Sequence, residues 1–294
     1  LANAYYNARD YAKDRIQGRL MTNPKAGRTA IINHEDIKRT LLMGKAHVEV
    51  MRAMLYKTFF MFDIRHHDPD PEKRAKANDL IEVTTPLCKA YPSDEAWSLI
   101  GEAIQVYGGY GYCEEYPVAQ IARDVKIYSI WEGTNFIQSM DLVGRKWTMK
   151  KGAAFAAFIA EMKDFCAANK ENTDFAKEFA NLESALSAYG KLQKAMGGYF
   201  ADKKFSMMPL FARRILTATS QLYGGYLILD QALLADRKAK ELGPEHYDYS
   251  FYTGKIAAAR YYLMNVVPNV EITAKIIADG DESALDIAVE SFEY

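Results

Sequence analysis

Glu132 stands where a carboxylate could act on a bound molecule. It lies between Trp131 and Gly133, and Thr134 follows, so the local sequence is Trp-Glu-Gly-Thr. Glycine permits a tight bend, and threonine is favoured at the start of a helix, where backbone amides attract anionic or carbonyl ligands. A carboxylate at such a bend can take a proton from a substrate. The local sequence therefore makes Glu132 a candidate general base.

The residues just before Glu132 are apolar and support this prediction. Ile127, Ile130 and Trp131 are expected to form an apolar wall, which would penalise the charged carboxylate and ready it for proton transfer. A single glutamate at a helix start is more often only a favourable partner of the helix dipole. The wider segment, residues 105–138, favours the base.

Three glycines precede this turn, at positions 108, 109 and 111. Glycines destabilise a helix interior, so we predict a loop whose backbone could approach a flat or phosphorylated ligand closely. A permissive helix end is the simpler alternative. The dinucleotide-binding glycine motif is not expected, because that motif follows a strand and a helix precedes these glycines.

The elements that position these residues are all predicted to be helices. Apolar residues from His34 to Ile64 recur by threes, fours or sevens, which predicts a long core-facing helix. Pro69 and Pro71 end it, a second helix runs from about Glu72 to Tyr91, and residues 92–94 interrupt the chain before a third helix reaches the glycines. Short apolar alternation typical of strands is nearly absent, so the predicted fold class is all-α.

The helical pattern restarts after Gly152, and we place a domain boundary near residue 150. Four amphipathic helices are predicted beyond it, which indicates a helical bundle. Their apolar residues fall within 155–165, 175–196, 209–233 and 251–267. The chain has no initiator methionine and starts at helical spacing without a capping residue, so we expect it to begin inside a helix of a larger protein.

Composition limits the class of protein. With 37 basic and 38 acidic side chains in 294 residues the net charge is -1, which argues against nucleic acid or an anionic membrane as the main partner. Three cysteines without CxxC spacing indicate neither a disulfide framework nor a zinc site. His66 and His67 adjoin Asp68 in a proline-rich turn that rarely gives metal geometry, so no metal is predicted. No membrane span is expected.

The order of motifs resembles the flavin-site segment of the acyl-CoA dehydrogenases. The strongest part is residues 105–138, with QVYGGYGY, EYP, ARD and WEGT in sequence. Residues 11–18, YAKDRIQG, resemble the family's arginine segment, and residues 32–37, INHEDI, resemble the helix entry that follows it. The resemblance covers about residues 1–150, the C-terminal part of the family's common core. The family's N-terminal helical domain and β-domain have no counterpart.

The resemblance implies a role for each site residue. Glu132 would remove the α-proton of an acyl-CoA thioester while a hydride leaves the β-carbon for flavin N5, and Gly133 would contact the substrate. The Glu132 backbone amide would help hold the thioester carbonyl. FAD would be the cofactor. Residues expected to touch FAD of a neighbouring subunit are Arg15, Gln105, Gly108 and Gly109, and those expected to touch FAD of the same subunit are Thr134 and Asn135.

The chain also resembles a longer subgroup of the family, which includes methylthiopropanoyl-CoA dehydrogenase. The resemblance lies in DLVGRK at residues 141–146 and in the predicted helices beyond residue 150. The implied fold is the family's C-terminal four-helix bundle in residues 1–150, followed by a second helical bundle domain in residues 151–294. The implied context is fatty acid metabolism in the cytoplasm. An acyl-CoA substrate, electron-transfer flavoprotein as electron acceptor, and a homodimer or dimer of dimers are also implied.

Two alternatives stay open. An acyl-CoA oxidase would share these residues, because oxygen access depends on the shape of the cavity. A helical scaffold or oligomerisation module that has lost the chemistry is the alternative from another class. The glutamate retained before Gly-Thr favours the enzyme.

Overall fold

The computed structural model describes residues 1–293, and no strand is present in that range. The nearest approach to a sheet is one isolated antiparallel bridge between Ile16 and Ala30. The all-α prediction is confirmed. None of the described helices is both long enough and apolar enough to cross a membrane.

Within residues 1–293 the chain forms a succession of α-helices. In chain order they are α1 Ala2–Asp14, α2 Glu35–His67, α3 Pro71–Tyr107, α4 Gly109–Tyr112, α5 Pro117–Lys126, α6 Asn135–Met140, α7 Ala153–Ala168, α8 Ala176–Ala201, α9 Met207–Leu242, α10 Tyr249–Asn265, α11 Asn269–Asp279 and α12 Ser283–Asp286. The predicted helices beyond residue 150 correspond to α7, α8, α9 and α10, while α11 was not predicted. Residues 141–146 continue α6 as a π-helical turn, in which the Trp147 amide donates to the Leu142 carbonyl (3.0 Å).

Helix α2 confirms the long predicted helix and extends it to His67. Glu35 and Asp36 occupy its first turn and basic residues occupy its last. Both placements stabilise the helix, since they oppose the charges of the helix dipole. The helix ends where Pro69 prevents further propagation.

Helix α3 corrects the predicted interruption at residues 92–94, because it runs unbroken through Pro92. A proline inside a helix removes one backbone hydrogen bond. Polar side chains supply others here. Ser93 Oγ lies within hydrogen-bonding distance of the carbonyls of Lys89 (2.9 Å) and Ala90 (3.0 Å), and Asn135 Nδ2 donates to the Ala90 carbonyl (3.2 Å). Hydrogen bonds from Ser93 within the helix and from Asn135 outside it therefore preserve a helix that Pro92 disfavours.

The glycine segment is a sharp bend followed by one helical turn, which corrects the predicted loop. Gly108 ends α3 with φ +63°, a conformation that favours glycine, and residues 109–112 then form α4. Gly111 packs against α3 so closely that a Cβ atom there would lie 2.6 Å from the Ile104 carbonyl oxygen. Glycine is thus required both for the bend and for the packing of α4.

The described residues divide into two compact units. Unit 1 comprises residues 1–55, 88–135 and 227–262. Its apolar core brings small alanines of α1, including Ala4, Ala8 and Ala12, against Ile100 and Val106 of α3. Small side chains let the two helices approach closely, and this packing holds both the end of α1 and the end of α3 in place.

Unit 2 comprises residues 56–87, 136–226 and 263–293 of the described chain. Buried aromatic and aliphatic side chains of α7, α8 and α9 make its core, among them Phe158, Tyr189 and Leu222. Helix α11 packs on α8, and Tyr199 Oη donates to the Ile277 carbonyl (2.7 Å). The two units are defined by which residues lie together in space, whereas the predicted domain boundary near residue 150 comes from the sequence pattern. The boundary therefore stays a prediction.

Candidate functional site

The segment after α1 folds back on itself and presents Arg15. The Ile31 amide donates to the Arg15 carbonyl (2.8 Å), and the Gln17 amide donates to the Thr29 carbonyl (2.9 Å). Gly18 turns with φ +69°, and a Cβ there would lie 3.1 Å from the His34 ring, whose Nε2 is 2.8 Å from the Gln17 carbonyl. The position of Arg15 is therefore fixed by its backbone.

Aromatic rings support the glycine bend on the opposite side. Tyr11 of α1 stacks on Tyr107 of α3 with ring centroids 4.1 Å apart. Tyr116 contacts both Tyr107 (5.6 Å) and Tyr110 (5.3 Å), so the residues on both sides of Gly108 are held by ring packing. The guanidinium of Arg15 lies 5.7 Å from the centre of the Tyr110 ring. This contact brings the arginine segment to the bend.

A cavity of about 800 Å³ lies between the arginine segment and the glycine bend. Arg15, Gln105, Gly108 and Gly109, the first group of predicted flavin-binding residues, all line it. Cβ atoms built on Gly108 or Gly109 would meet nothing within 4 Å, so the backbone there is open to a ligand. No carboxylate is among the described residues that line this cavity. An arginine, amides and open backbone fit an anionic cofactor such as FAD.

Glu132 lies in a second region of unit 1, at a tight turn between residues 127–129 and α6. Its φ is +51° and that of Gly133 is +85°, so two successive residues adopt the left-handed conformation. Such a conformation costs a non-glycine residue of order 1–3 kcal/mol and is concentrated at functional sites. The strain is an observation independent of the sequence motif.

The apolar wall expected around Glu132 is not closed within the described chain, which corrects that prediction. Ile130 is 53% exposed and Trp131 is 49% exposed, and Glu132, Gly133 and Thr134 are exposed as well. The physical reason is that these apolar residues lie on a short surface turn with little chain packed over it. They form an exposed apolar surface beside the carboxylate.

Asn135 begins α6 and is only 4% exposed. Its Nδ2 donates to Ser93 Oγ (2.9 Å) and to the Ala90 carbonyl (3.2 Å), and its Oδ1 accepts from Lys89 Nζ (2.9 Å). The side chain is therefore engaged inside unit 1, and the flavin contact expected for it stays a prediction. Sequence reasoning did not single out Lys89, because nothing in its local sequence signals a partner near residue 135.

The structure places the predicted site residues in two groups. Arg15, Gln105 and the paired glycines share one cavity, whereas residues 132–135 are not among those that line it. The expectation that the two groups touch different flavins, and the role of each residue, stay predictions. No cluster of three metal-ligating side chains occurs within residues 1–293.

Two family descriptions match most of the chain. "Acyl-CoA dehydrogenase, C-terminal domain" matches residues 2–146, and "Acetyl-CoA dehydrogenase C-terminal like" matches residues 158–288.

Curated relatives are similar along nearly the whole chain. A butyryl-CoA dehydrogenase of Syntrophomonas wolfei is 47% identical over 99% of this chain and 48% of its own length. A 3-methylmercaptopropionyl-CoA dehydrogenase of Ruegeria pomeroyi is 31% identical over 96% of this chain and 47% of its own length. The chain spans about half the length of the curated relatives it matches.

A solved structure shares the fold. The acyl-CoA dehydrogenase of Bacillus anthracis complexed with FAD superposes with a TM-score of 0.67 at 19% identity, over 98% of this chain and 47% of that one. At this identity the likeness establishes the helical fold.

Proposed function

This chain belongs to the acyl-CoA dehydrogenase family and matches its C-terminal helical domains, and we propose that the protein carrying it dehydrogenates an acyl-CoA between the α and β carbons. The observation that carries the proposal is the strained turn that holds Glu132 directly before Gly133 and Thr134. Relatives that cover almost the whole chain are named as dehydrogenases of acyl-CoA thioesters, which supports the same chemistry.

Glu132 is proposed as the base that accepts the α-proton. Its turn also carries an exposed apolar surface, formed by Ile130 and Trp131. A substrate that covers this surface would remove water from the carboxylate and strengthen its action as a base. The backbone amide of Glu132 would hold the thioester carbonyl and stabilise negative charge that develops there. Gly133, without a side chain, would leave room for the thioester.

FAD, when bound, would accept the hydride from the β-carbon. Arg15, Gln105, Gly108 and Gly109 would hold the cofactor in the cavity of unit 1, with the Arg15 guanidinium close to its phosphates. Thr134 and Asn135 would contact the flavin next to Glu132. Because the two groups of residues line different regions, a homodimer or dimer of dimers would let each group serve a different active site.

Electron-transfer flavoprotein is the proposed electron acceptor, and the cytoplasm is the proposed location. The related alternative is an acyl-CoA oxidase, in which oxygen is the acceptor. We also propose that the boundary between the two helical domains lies near residue 150, supported by family matches that end at residue 146 and begin at residue 158.

The proposal is tested with the full-length protein under anaerobic conditions. Butyryl-CoA, 3-methylmercaptopropionyl-CoA and longer acyl-CoAs are added separately, and flavin reduction is followed by the loss of visible absorbance. Reduction by at least one of them is expected. Reoxidation by electron-transfer flavoprotein without peroxide would identify a dehydrogenase, and rapid peroxide formation in oxygen would identify an oxidase. No reduction by any acyl-CoA would favour the helical scaffold.

Glu132→Gln identifies the base. The variant should bind flavin as before, while the rate of flavin reduction falls by about 10²–10⁴-fold, the usual contribution of a positioned acid or base. Glu115→Gln, another exposed carboxylate in unit 1, is the matched control and should react at the original rate. Reduction at the original rate by Glu132→Gln would place the base elsewhere.

A further inference from the structure

The strained turn at Glu132 needs support from outside its own sequence. A left-handed residue persists only when the surrounding structure fixes it. Within the described chain, Asn135 is the buried residue nearest to this turn in sequence, three positions after Glu132, and its side chain is buried in unit 1. Whatever orients the Asn135 amide therefore also limits the positions that the Glu132 backbone can take.

Lys89 determines the orientation of that amide. An ammonium only donates hydrogen bonds, so its 2.9 Å contact requires an oxygen at that end of the Asn135 side chain. The amide nitrogen then points to the Ala90 carbonyl and to Ser93 Oγ, and both contacts are observed. If the Asn135 amide were reversed, its nitrogen would face the Lys89 ammonium, and both are donors. Its oxygen would face the Ala90 carbonyl, and both are acceptors. Lys89 thus fixes the orientation of the Asn135 amide, through which the turn contacts α3.

The charge of Lys89 also reaches Glu132. Burial lowers the pKa of Lys89, while the carboxylates of Asp94 and Glu132 act in the opposite direction and favour its charged form. The lysine therefore interacts with Glu132 electrostatically and with Asn135 through a hydrogen bond.

We propose that Lys89 is a positioning residue for the Glu132 turn, acting through its hydrogen bond to the Asn135 amide. The inference rests on the proposed function, since it takes Glu132 as the base. Lys89 itself need not touch the substrate. Its effect should fall on the proton-transfer step more than on binding.

Hydrogen exchange tests the positioning role without any reaction. In the flavin-free full-length protein, Lys89→Met should speed amide exchange in residues 131–136, because the hydrogen bond to Asn135 Oδ1 is lost. Lys38→Met, which removes an exposed lysine of α2 in the same unit, should leave exchange there unchanged. Original exchange rates in Lys89→Met would overturn the proposal.

Kinetics test the link to catalysis. Lys89→Met should lower the maximal rate of flavin reduction by about 10²-fold with little change in the KM for acyl-CoA, as expected when a reacting group is misplaced. Lys89→Gln, which keeps a hydrogen-bond donor, guards against a Met variant that folds poorly. A Gln variant faster than Met supports the hydrogen bond to Asn135 as the cause, and a Gln variant as slow as Met whose residues 131–136 exchange at the original rate would overturn it. Lys89→Arg should recover part of the rate.

The two hypotheses fail in different ways. Original rates in Lys89→Met and Lys89→Gln, together with a slow Glu132→Gln, would overturn the role of Lys89 alone. A fast Glu132→Gln would overturn the proposed function, and the exchange experiment would still decide whether Lys89 holds the turn.

Discussion

Glu95 of α3 lies in unit 1 beside His47 of α2. Glu95 Oε2 is 3.8 Å from His47 Nε2, and the other ring nitrogen, Nδ1, lies 2.9 Å from the Met43 carbonyl. That carbonyl only accepts, so the neutral ring carries its proton on Nδ1. Close by, the hydroxyls of Tyr91 and Tyr262 are 2.8 Å apart. Burial raises the pKa of Glu95 to about 7 and lowers the pKa of His47.

Glu95→Gln should therefore change how stability depends on pH. The folded state keeps a proton on Glu95 that the unfolded chain releases above its ordinary pKa of 4.5, so this group lowers stability as pH rises toward about 7. The variant should be more stable than the original protein by about 1–3 kcal/mol at high pH and similar at low pH.

The measurement is urea unfolding between about pH 5 and 8, with Glu102→Gln on the same helix as control. His47, whose pKa is lowered, makes stability rise with pH in both Glu95→Gln and the original protein. Subtracting the free energy of unfolding of one from that of the other removes this contribution. If the free energies of unfolding of Glu95→Gln and the original protein differed by the same amount at every pH, the raised pKa of Glu95 would be contradicted.

Single residues show where sequence reasoning succeeds and where it stops. Glu132 can be singled out because the acid, a glycine and a threonine are adjacent in the sequence, and its role as the base stays a prediction. The engagement of Asn135 with Lys89 is not recognisable, because the two residues are 46 positions apart and meet only in the folded chain. The exposure of Trp131 is equally a property of packing, which its local sequence does not reveal.

At the scale of elements, the close packing of α4 on α3 depends on Gly111. Gly111→Ala would place a methyl group 2.6 Å from the Ile104 carbonyl oxygen and 2.8 Å from Tyr107 Cβ, and backbone atoms cannot move aside easily. The free energy of unfolding should fall by about 1–3 kcal/mol.

Gly101→Ala is the matched control. Gly101 lies inside α3, and a Cβ there would meet nothing within 4 Å, so alanine should stabilise the helix by about 0.5–1 kcal/mol. Both variants are compared by chemical denaturation. Equal stability of the two would contradict the close contact inferred for Gly111.

Helix periodicity predicts α2 well, since its apolar positions repeat over many turns. The break predicted at Pro92 was wrong for a definable reason. Local propensity counts the hydrogen bond that proline removes, whereas the hydrogen bond from Asn135 to the Ala90 carbonyl comes from tertiary structure. The helical turn at residues 109–112 was missed in the same way, because it depends on packing against α3.

At the scale of the whole molecule, each compact unit draws on residues from both sides of position 150. In unit 1, Tyr91 pairs with Tyr262, and Glu49 forms an ion pair with Lys255. In unit 2, Lys57 Nζ lies 3.5 Å from Glu161 Oε1. Periodicity predicts the helices that take part, but such pairings between distant helices follow from topology.

Separating the chain after residue 150 should therefore leave both pieces incomplete. Residues 1–150 alone would expose the apolar surroundings of Tyr91 and lose the cation opposite Glu49. We expect low helical content and no cooperative unfolding for each piece, with both properties restored on mixing. Circular dichroism before and after mixing measures this. Cooperative unfolding of residues 1–150 alone, at the stability of the undivided chain, would contradict it.

The π-helical turn at residues 141–146 has a consequence for how this part of unit 2 can vary. An α-helix turns by about 100° per residue, so one additional residue within a turn sets the rotational phase of everything that follows. Trp147, the next residue, reaches Phe155 (5.9 Å) and Tyr189 (6.4 Å) only at that phase. Removing one residue from the turn would restore ordinary α-helix and swing the indole away from both rings, so this stretch should tolerate substitution far better than a change in length.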